Sequence, residues 1–187
     1  AIVRRGGKPE YMDDIVIETP SQVYRPEKLN EWAVQGNLIA RDTAKLMAGR
    51  DFPATGCYEF TYRAERDMGQ QQQAQWYARD LLISLANGFD HIAPGILFDT
   101  SNAYYNGLWG GSGILERSPY GYPKKSYVAY ATLTNVLDQV KLRRQIPTGS
   151  TTVYAAEFDR ADKKLATALW EARGEADQAR RKQLYGE

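Results

Sequence analysis

Three acidic side chains, Glu18, Glu59 and Asp99, stand where chemistry is most easily imagined. Each follows or closes a short apolar or aromatic run: Ile15-Val16-Ile17, the stretch TGCYEFTY, and HIAPGILFD from His91 to Asp99. Arg63 follows Glu59 closely, and Asn102 follows Asp99. Carboxylates that meet at one rim suit cleavage of a glycosidic bond. One, protonated, supplies the departing oxygen with a proton; the other, ionised, attacks the anomeric carbon or activates water. Neither step needs a metal, a thiol or an imidazole. The chain has a single histidine, His91, and a single cysteine, Cys57. Ser/His and Cys/His catalysis therefore have few possible arrangements. Cys57 alone makes neither an internal disulfide nor a cysteine zinc site. No phosphate-cradling glycine signature is present, since GLWGGSG does not match the dinucleotide spacing. No cofactor and no metal are expected.

The elements that must position these groups read as three strand–helix units. The first pairs a buried strand at Ile15–Ile17, ended by Glu18-Thr19-Pro20, with a helix led by Pro26. Its expected apolar face runs through Leu29, Trp32, Ala33, Gly36, Ile39, Ala40, Thr43, Ala44 and Met47, with Gly49 as the stop. The second has a strand over Thr55–Tyr62. Its helical stripe is Ala74, Tyr77, Ala78, Leu81, Leu82, Leu85 and Ala86, closed near Gly88. The third has a strand over His91–Asp99, a long loop rich in glycine, asparagine and aromatics, and a helix from Lys124 that carries Tyr127, Tyr130, Ala131, Thr134, Leu137 and Val140 on one side. His91 opens its strand at the amino end and reads as structural. Past the break at Pro147–Ser150, the runs TTVYAAEF and KLATALW flank Asp159–Lys163 as a β-hairpin. The tail after Trp170 is highly charged, a solvated helix or a frayed end.

Strands alternating with helices imply parallel pairing and right-handed crossovers, with ligands met at the carboxyl ends of the strands. The expected fold class is α/β: residues 1–147 as the last three units of a (β/α) barrel, and residues 148–187 as the start of an accessory β domain. A whole eight-unit barrel usually takes about 250 residues, so 187 are too few. The chain is expected to be one piece of a longer product or assembly. With 24 basic and 23 acidic side chains the net charge is +1. No single-sign field draws in nucleic acid or an anionic membrane. No apolar stretch is long enough to span a bilayer.

The stretch from Thr55 to about Leu142 resembles the end of the catalytic barrel in clan-A retaining glycoside hydrolases. The features come in that order: YEFTY with its glutamate, the helix QQQQAQWYARDLLISLANG, the strand and loop HIAPGILFDTSNAYYN, the bend GLWGGSGIL, and the proline-led final helix YPKKSYVAYATLTNVLDQ. The resemblance implies that Glu59 lies on the seventh strand as nucleophile and Glu18 on the sixth. Glu18 is second choice for the role, because Ile17-Glu18-Thr19 looks locally more like the family's nucleophile than Tyr58-Glu59-Phe60. The family's acid/base glutamate comes from a fourth strand that nothing here supplies. Trp109 resembles the aromatic that floors a sugar subsite, and it serves equally as a loop anchor. Asn102, Tyr104, Tyr105, Asp99 and Arg63 are the expected sugar contacts, though the loop residues can instead satisfy the loop's own backbone. The implied partners are a carbohydrate substrate and another chain or segment carrying the first barrel strands. An extracellular or periplasmic site is favoured by the resemblance only. Two further readings stay open: a non-catalytic structural or carbohydrate-binding subunit of the same fold, and an unrelated α/β binding domain.

Overall fold

The computed structural model describes residues 8, 11–16, 18–21, 25–29, 34–60, 62–64, 68–100, 110–117 and 119–172. The described residues form a mixed α/β chain with two three-stranded sheets. The first sheet is parallel and built in chain order: β1 (Glu18–Ser21), β2 (Thr55–Phe60) and β3 (His91–Gly95). Among the described residues no barrel closes.

The first strand departs from expectation. Ile15 and Val16 lie ahead of β1, and Glu18 opens the strand instead of ending it. The cause is a tether. Asp14 accepts the Ile15 N–H through Oδ1 (2.7 Å) and the Thr55 hydroxyl through Oδ2. Asp14 is thereby held at the start of β2, and the first described pair is Glu18 opposite Cys57. Pro20 falls inside β1, opposite Glu59. Proline has no N–H to give, and β1 is the edge of the described sheet, where that loss is tolerated.

The helices follow. Pro26–Leu29 forms the short α1, and Gln35–Ala48 forms α2. Gly49 ends α2 as expected, at φ 70° with its N–H on the Lys45 carbonyl. The buried face of α2 is rotated from the expected stripe. Val34, ahead of the helix, and Asn37 are buried and Leu38 packs on the core, while Ile39, Leu46 and Met47 stay exposed. By contrast α3 (Gly69–Ala86) is buried almost all round, and its expected stripe is inside. It packs against α1 and α4 (Lys125–Val136).

α4 stops short of the expected helix. Gln139 takes a positive φ of 52°, which no helix continues through. Leu137 and Val140 are still buried, but beyond the helix. A strand that sequence reasoning missed follows: β4 (Lys141–Gln145). It joins β5 (Val153–Asp159) and β6 (Leu165–Glu171), which form the expected hairpin from Val153↔Glu171 to Asp159↔Leu165. The second sheet is antiparallel and lays Ala156, Phe158, Ala166 and Ala168 on Leu82 and Ala86 of α3 and on Leu137 and Val140. The charged tail from residue 173 onward lies outside the described residues.

Two charged groups lie deep beside each other on α3. Arg79 grips Glu27 of α1 with both arms of its guanidinium, Nε on Oε1 at 2.8 Å and Nη2 on Oε2. Such a pair is tolerable in the interior because the two charges and their hydrogen bonds answer one another. Asp80 is 3% exposed, and the Tyr62 hydroxyl is the hydrogen-bonding group beside its carboxyl. Burial pushes its carboxyl well above the usual range; the nearby Tyr62 hydroxyl and Arg79 oppose this only in part, and the Glu27 charge adds to it. The folded state therefore holds a proton that the unfolded chain releases near pH 4. Stability should fall as pH rises above that value, by up to about 1.4 kcal/mol per pH unit, until the folded-state pKa is reached. Asp80→Asn should flatten this slope and leave the protein more stable than the parent at neutral pH. Urea midpoints taken between pH 4 and pH 8 check this; equal slopes in parent and variant would contradict it.

Candidate functional site at the carboxyl end of the parallel sheet

The carboxyl ends of β2 and β3 lead into one polar assembly. Glu59 is the penultimate residue of β2, level with Pro20 of β1 and Gly95 of β3. Glu18 sits level with Cys57, toward the amino end. Only the backbone placement of these two glutamates is described. Arg63 lies past the end of β2 and is half-buried. Asn102, Tyr104, Tyr105 and Trp109 lie outside the described residues.

Asp99, four residues past the end of β3, is brought to the same end of the sheet. Its carboxylate is engaged by the protein itself. Lys124 Nζ donates to it, 2.7 Å from Oδ2 and 2.9 Å from Oδ1, and the Gly113 N–H donates to Oδ1 at 2.9 Å. The Lys124 side chain is wholly buried, so its charge has to be met inside the protein, and Asp99 meets it. The third contact of the ammonium is the Gly111 carbonyl at 3.1 Å.

A second clamp comes from α3. The Gln73 amide donates to the carbonyls of Tyr62 (2.8 Å), Gly111 (3.1 Å) and Gly113 (3.3 Å), and the Ser126 hydroxyl donates to its Oε1 at 2.9 Å. The three carbonyls, which can only accept, fix which way the amide faces. One turn on, the Tyr77 hydroxyl donates to the Ser112 carbonyl at 2.7 Å. Burial, followed by the neighbouring carboxyls of Asp80 and Asp99, pushes the Tyr77 hydroxyl well above its ordinary value, so it remains a donor. Burial likewise pushes Tyr130 up to about 12. The backbone after β2 is joined in as well, since the Ala64 N–H donates to the Gly111 carbonyl at 2.9 Å. The chain after β2, the last residue of β3, the 110–113 turn and the start of α4 thus converge on two α3 side chains.

Gln73, Lys124 and Ser126 were missed by sequence reasoning. Gln73 ends a run of four glutamines with nothing to distinguish it, and Lys124 is one of two adjacent lysines. The signal that was present is the glycine run itself: Gly113 leaves no room for a side chain.

The sheet has two unlike faces. Gly56 is buried, and Ile92 packs on the core cluster that includes Trp76, Tyr77 and Ile83 of α3. By the alternation of strands, Thr55, Cys57, His91 and Ala93 share the opposite face. There His91 and Ala93 are exposed, and the Thr55 hydroxyl lies 3.5 Å from His91 Nδ1. His91 thus sits at the amino end, away from Glu59. Among the described residues no group of three or more His, Cys, Asp or Glu side chains is placed to hold a metal ion. None of the helices there is long and apolar enough to cross a membrane.

No family model matches the chain, and no curated protein or solved structure matches it either.

A methyl group on residue 113 would fall 2.5 Å from the carbonyl carbon of Phe98 and nearer still to Asp99 N, both backbone atoms that cannot swing aside. Gly113→Ala should therefore cost about 3 kcal/mol by forcing the turn off Asp99. Gly36→Ala in α2 meets nothing within 4 Å. It should stabilise by about 0.4–1 kcal/mol through the unfolded chain. Urea unfolding of both variants reads the contrast; equal midpoints would show that the turn is not held as described.

Proposed function

We propose that this chain is the carboxyl-terminal part of a retaining (β/α)-barrel glycoside hydrolase, with Glu59 as its nucleophile. One observation carries the reading. Three parallel strands lie side by side in chain order, with Glu59 at the carboxyl end of the middle strand. Ligands of such sheets gather at that end.

Two features support the barrel part of the proposal. The sheet face bearing His91 and Ala93 is open, as the inner face of a barrel is when strands are missing. On α2, Ile39, Leu46 and Met47 are apolar and exposed, a strip suited to a preceding helix. Both would be covered by another chain or segment that carries the earlier strands. The register favours Glu59 over Glu18. Glu18 lies two residues lower along the sheet, about 7 Å at the usual strand rise.

In this proposal Glu59, ionised, attacks the anomeric carbon and forms a covalent glycosyl intermediate, and water later releases it. The acid that protonates the departing oxygen comes from the missing segment, about 5–5.5 Å away if configuration is retained. Asp99, committed to Lys124 and Gly113, acts by holding the rim loop in shape. The same commitment favours a second reading, a non-catalytic structural or carbohydrate-binding subunit, because it removes one carboxylate from the rim.

Glu59→Gln keeps the shape of the side chain and removes its charge. In the assembled protein it should lower glycoside turnover by at least about 10³-fold while substrate binding persists. Turnover assays on Glu59→Gln and Glu18→Gln separate the outcomes. If only Glu18→Gln is inactive, Glu18 is the nucleophile. If neither change slows turnover, or the assembled protein hydrolyses no glycoside, the non-catalytic reading stands.

A further inference from the structure

The two edges of the second sheet are built differently. β4 carries Lys141, Arg143 and Arg144 among its five residues, and its pairing with β5 slips at a bulge between Leu142 and Arg144. Charged side chains and bulges are what keep an edge strand from accepting a further strand. β6 has neither. It pairs with β5 in unbroken register from Leu165 to Glu171, and no charged side chain stands between Leu165 and Trp170. Among the described residues β6 pairs on one side only, so its other side offers a row of backbone N–H and C=O groups. Its outward residues are Leu165 (52% exposed), Thr167, Leu169 (70% exposed) and Glu171, while Ala166 and Ala168 turn inward onto the core.

The order of these residues is self-complementary. With a two-fold axis through Thr167, an antiparallel pair of β6 strands sets Leu165 beside Leu169 of the second copy, Thr167 beside Thr167, and Leu169 beside Leu165. Directly opposite residues share a face, so the leucines and threonines meet on the outer surface and Ala166 meets Ala168 beneath them. Lys163, in the turn just ahead of the strand, comes level with Glu171 of the second copy, and the symmetry repeats that pair at the other end. Apolar, Thr–Thr and opposite-charge pairs across strands all stabilise such a ladder. The two β6 edges consume one another and leave only the two β4 edges, so association closes at a dimer.

We propose that two copies of this chain join through β6, forming a two-fold dimer with one continuous antiparallel sheet to which each copy gives three strands. The dimer stands independently of the glycoside hydrolase reading. One strand pair buries less than the roughly 800 Å² per partner of a standard interface, so the dimer should dissociate in the micromolar range. Sedimentation velocity of the full chain, from about 5 to about 500 µM, should show monomer passing to dimer and nothing larger. Thr167→Lys sets two like charges face to face on the axis and should weaken association about tenfold. Lys163→Glu and Glu171→Lys should each weaken it about fivefold, and the two together should restore it to within about twofold. Thr167→Cys, with Cys57 replaced by serine, should give a disulfide-linked dimer on oxidation, since opposite Cα atoms lie about 4.5–5.5 Å apart. The dimer is refuted if the parent stays monomeric throughout, if it grows into open-ended oligomers, or if the double charge exchange recovers nothing. It is refuted as well if Thr167→Lys associates like the parent, which places the contact on another surface such as the exposed strip of α2. Should Thr167→Lys fail to fold, the charge exchange and the cross-link decide.

Discussion

An ammonium group with no access to water organises the carboxyl end of the parallel sheet. Lys124 is buried to its tip, and a charge in that position must be met by an opposite charge and by carbonyl dipoles. Asp99 supplies the charge and Gly111 the carbonyl. For both to arrive, the chain after β3 has to turn back and the 110–113 segment has to press against it so closely that residue 113 can only be glycine. The start of α4, the exit of β3 and the turn between them are consequently one unit. Breaking one member leaves a buried charge or a buried carbonyl unmet, which the interior tolerates poorly.

Helix α3 extends this constraint to the rest of the molecule. Gln73 and Tyr77 near its amino end hold the rim backbone, Arg79 holds α1, and Leu82 and Ala86 near its carboxyl end receive the second sheet. A helix used on nearly every side keeps little solvent face, so its inward polar residues must find partners inside. Arg79, Gln73 and Tyr77 do so, while Asp80 instead keeps its proton. Trp170 of β6 packs on both core clusters and so couples the two sheets through α3.

What was legible in the sequence follows from this. The α3 stripe was readable because leucines and aromatics at helical spacing have one use. The hairpin was readable because two alternating runs flank a charged turn. Gly49 was readable as a stop because α2 needs a left-handed residue there. β4 was not: Lys141-Leu142-Arg143-Arg144-Gln145 has no apolar alternation, and its place comes from pairing with β5. The start of β1 was not, because it is set by Asp14 reaching across to Thr55, a contact far apart along the chain. The rotated face of α2 belongs to the same class, since its burial depends on neighbours and not on its own pattern. At the candidate site, Asp99 was expected to close its strand, but β3 stops at Gly95, and the commitment of Asp99 was not legible because its partners Lys124 and Gly113 come from beyond a long loop.

The order of the strands has a consequence for how the molecule is made. In both sheets each strand pairs with the one just before it in the chain, β1 to β2 to β3 and β4 to β5 to β6. Among the described strands none has to wait for a distant partner within its sheet, and loop closure between successive strands is comparatively cheap. Such a chain can acquire structure progressively as it leaves the ribosome, each new unit docking on a finished one. The step out of sequence is the rim clamp, where Gln73 must hold its place until Lys124 and Ser126 have been synthesised. The last event in ordering the parallel sheet's carboxyl end is thus the arrival of α4.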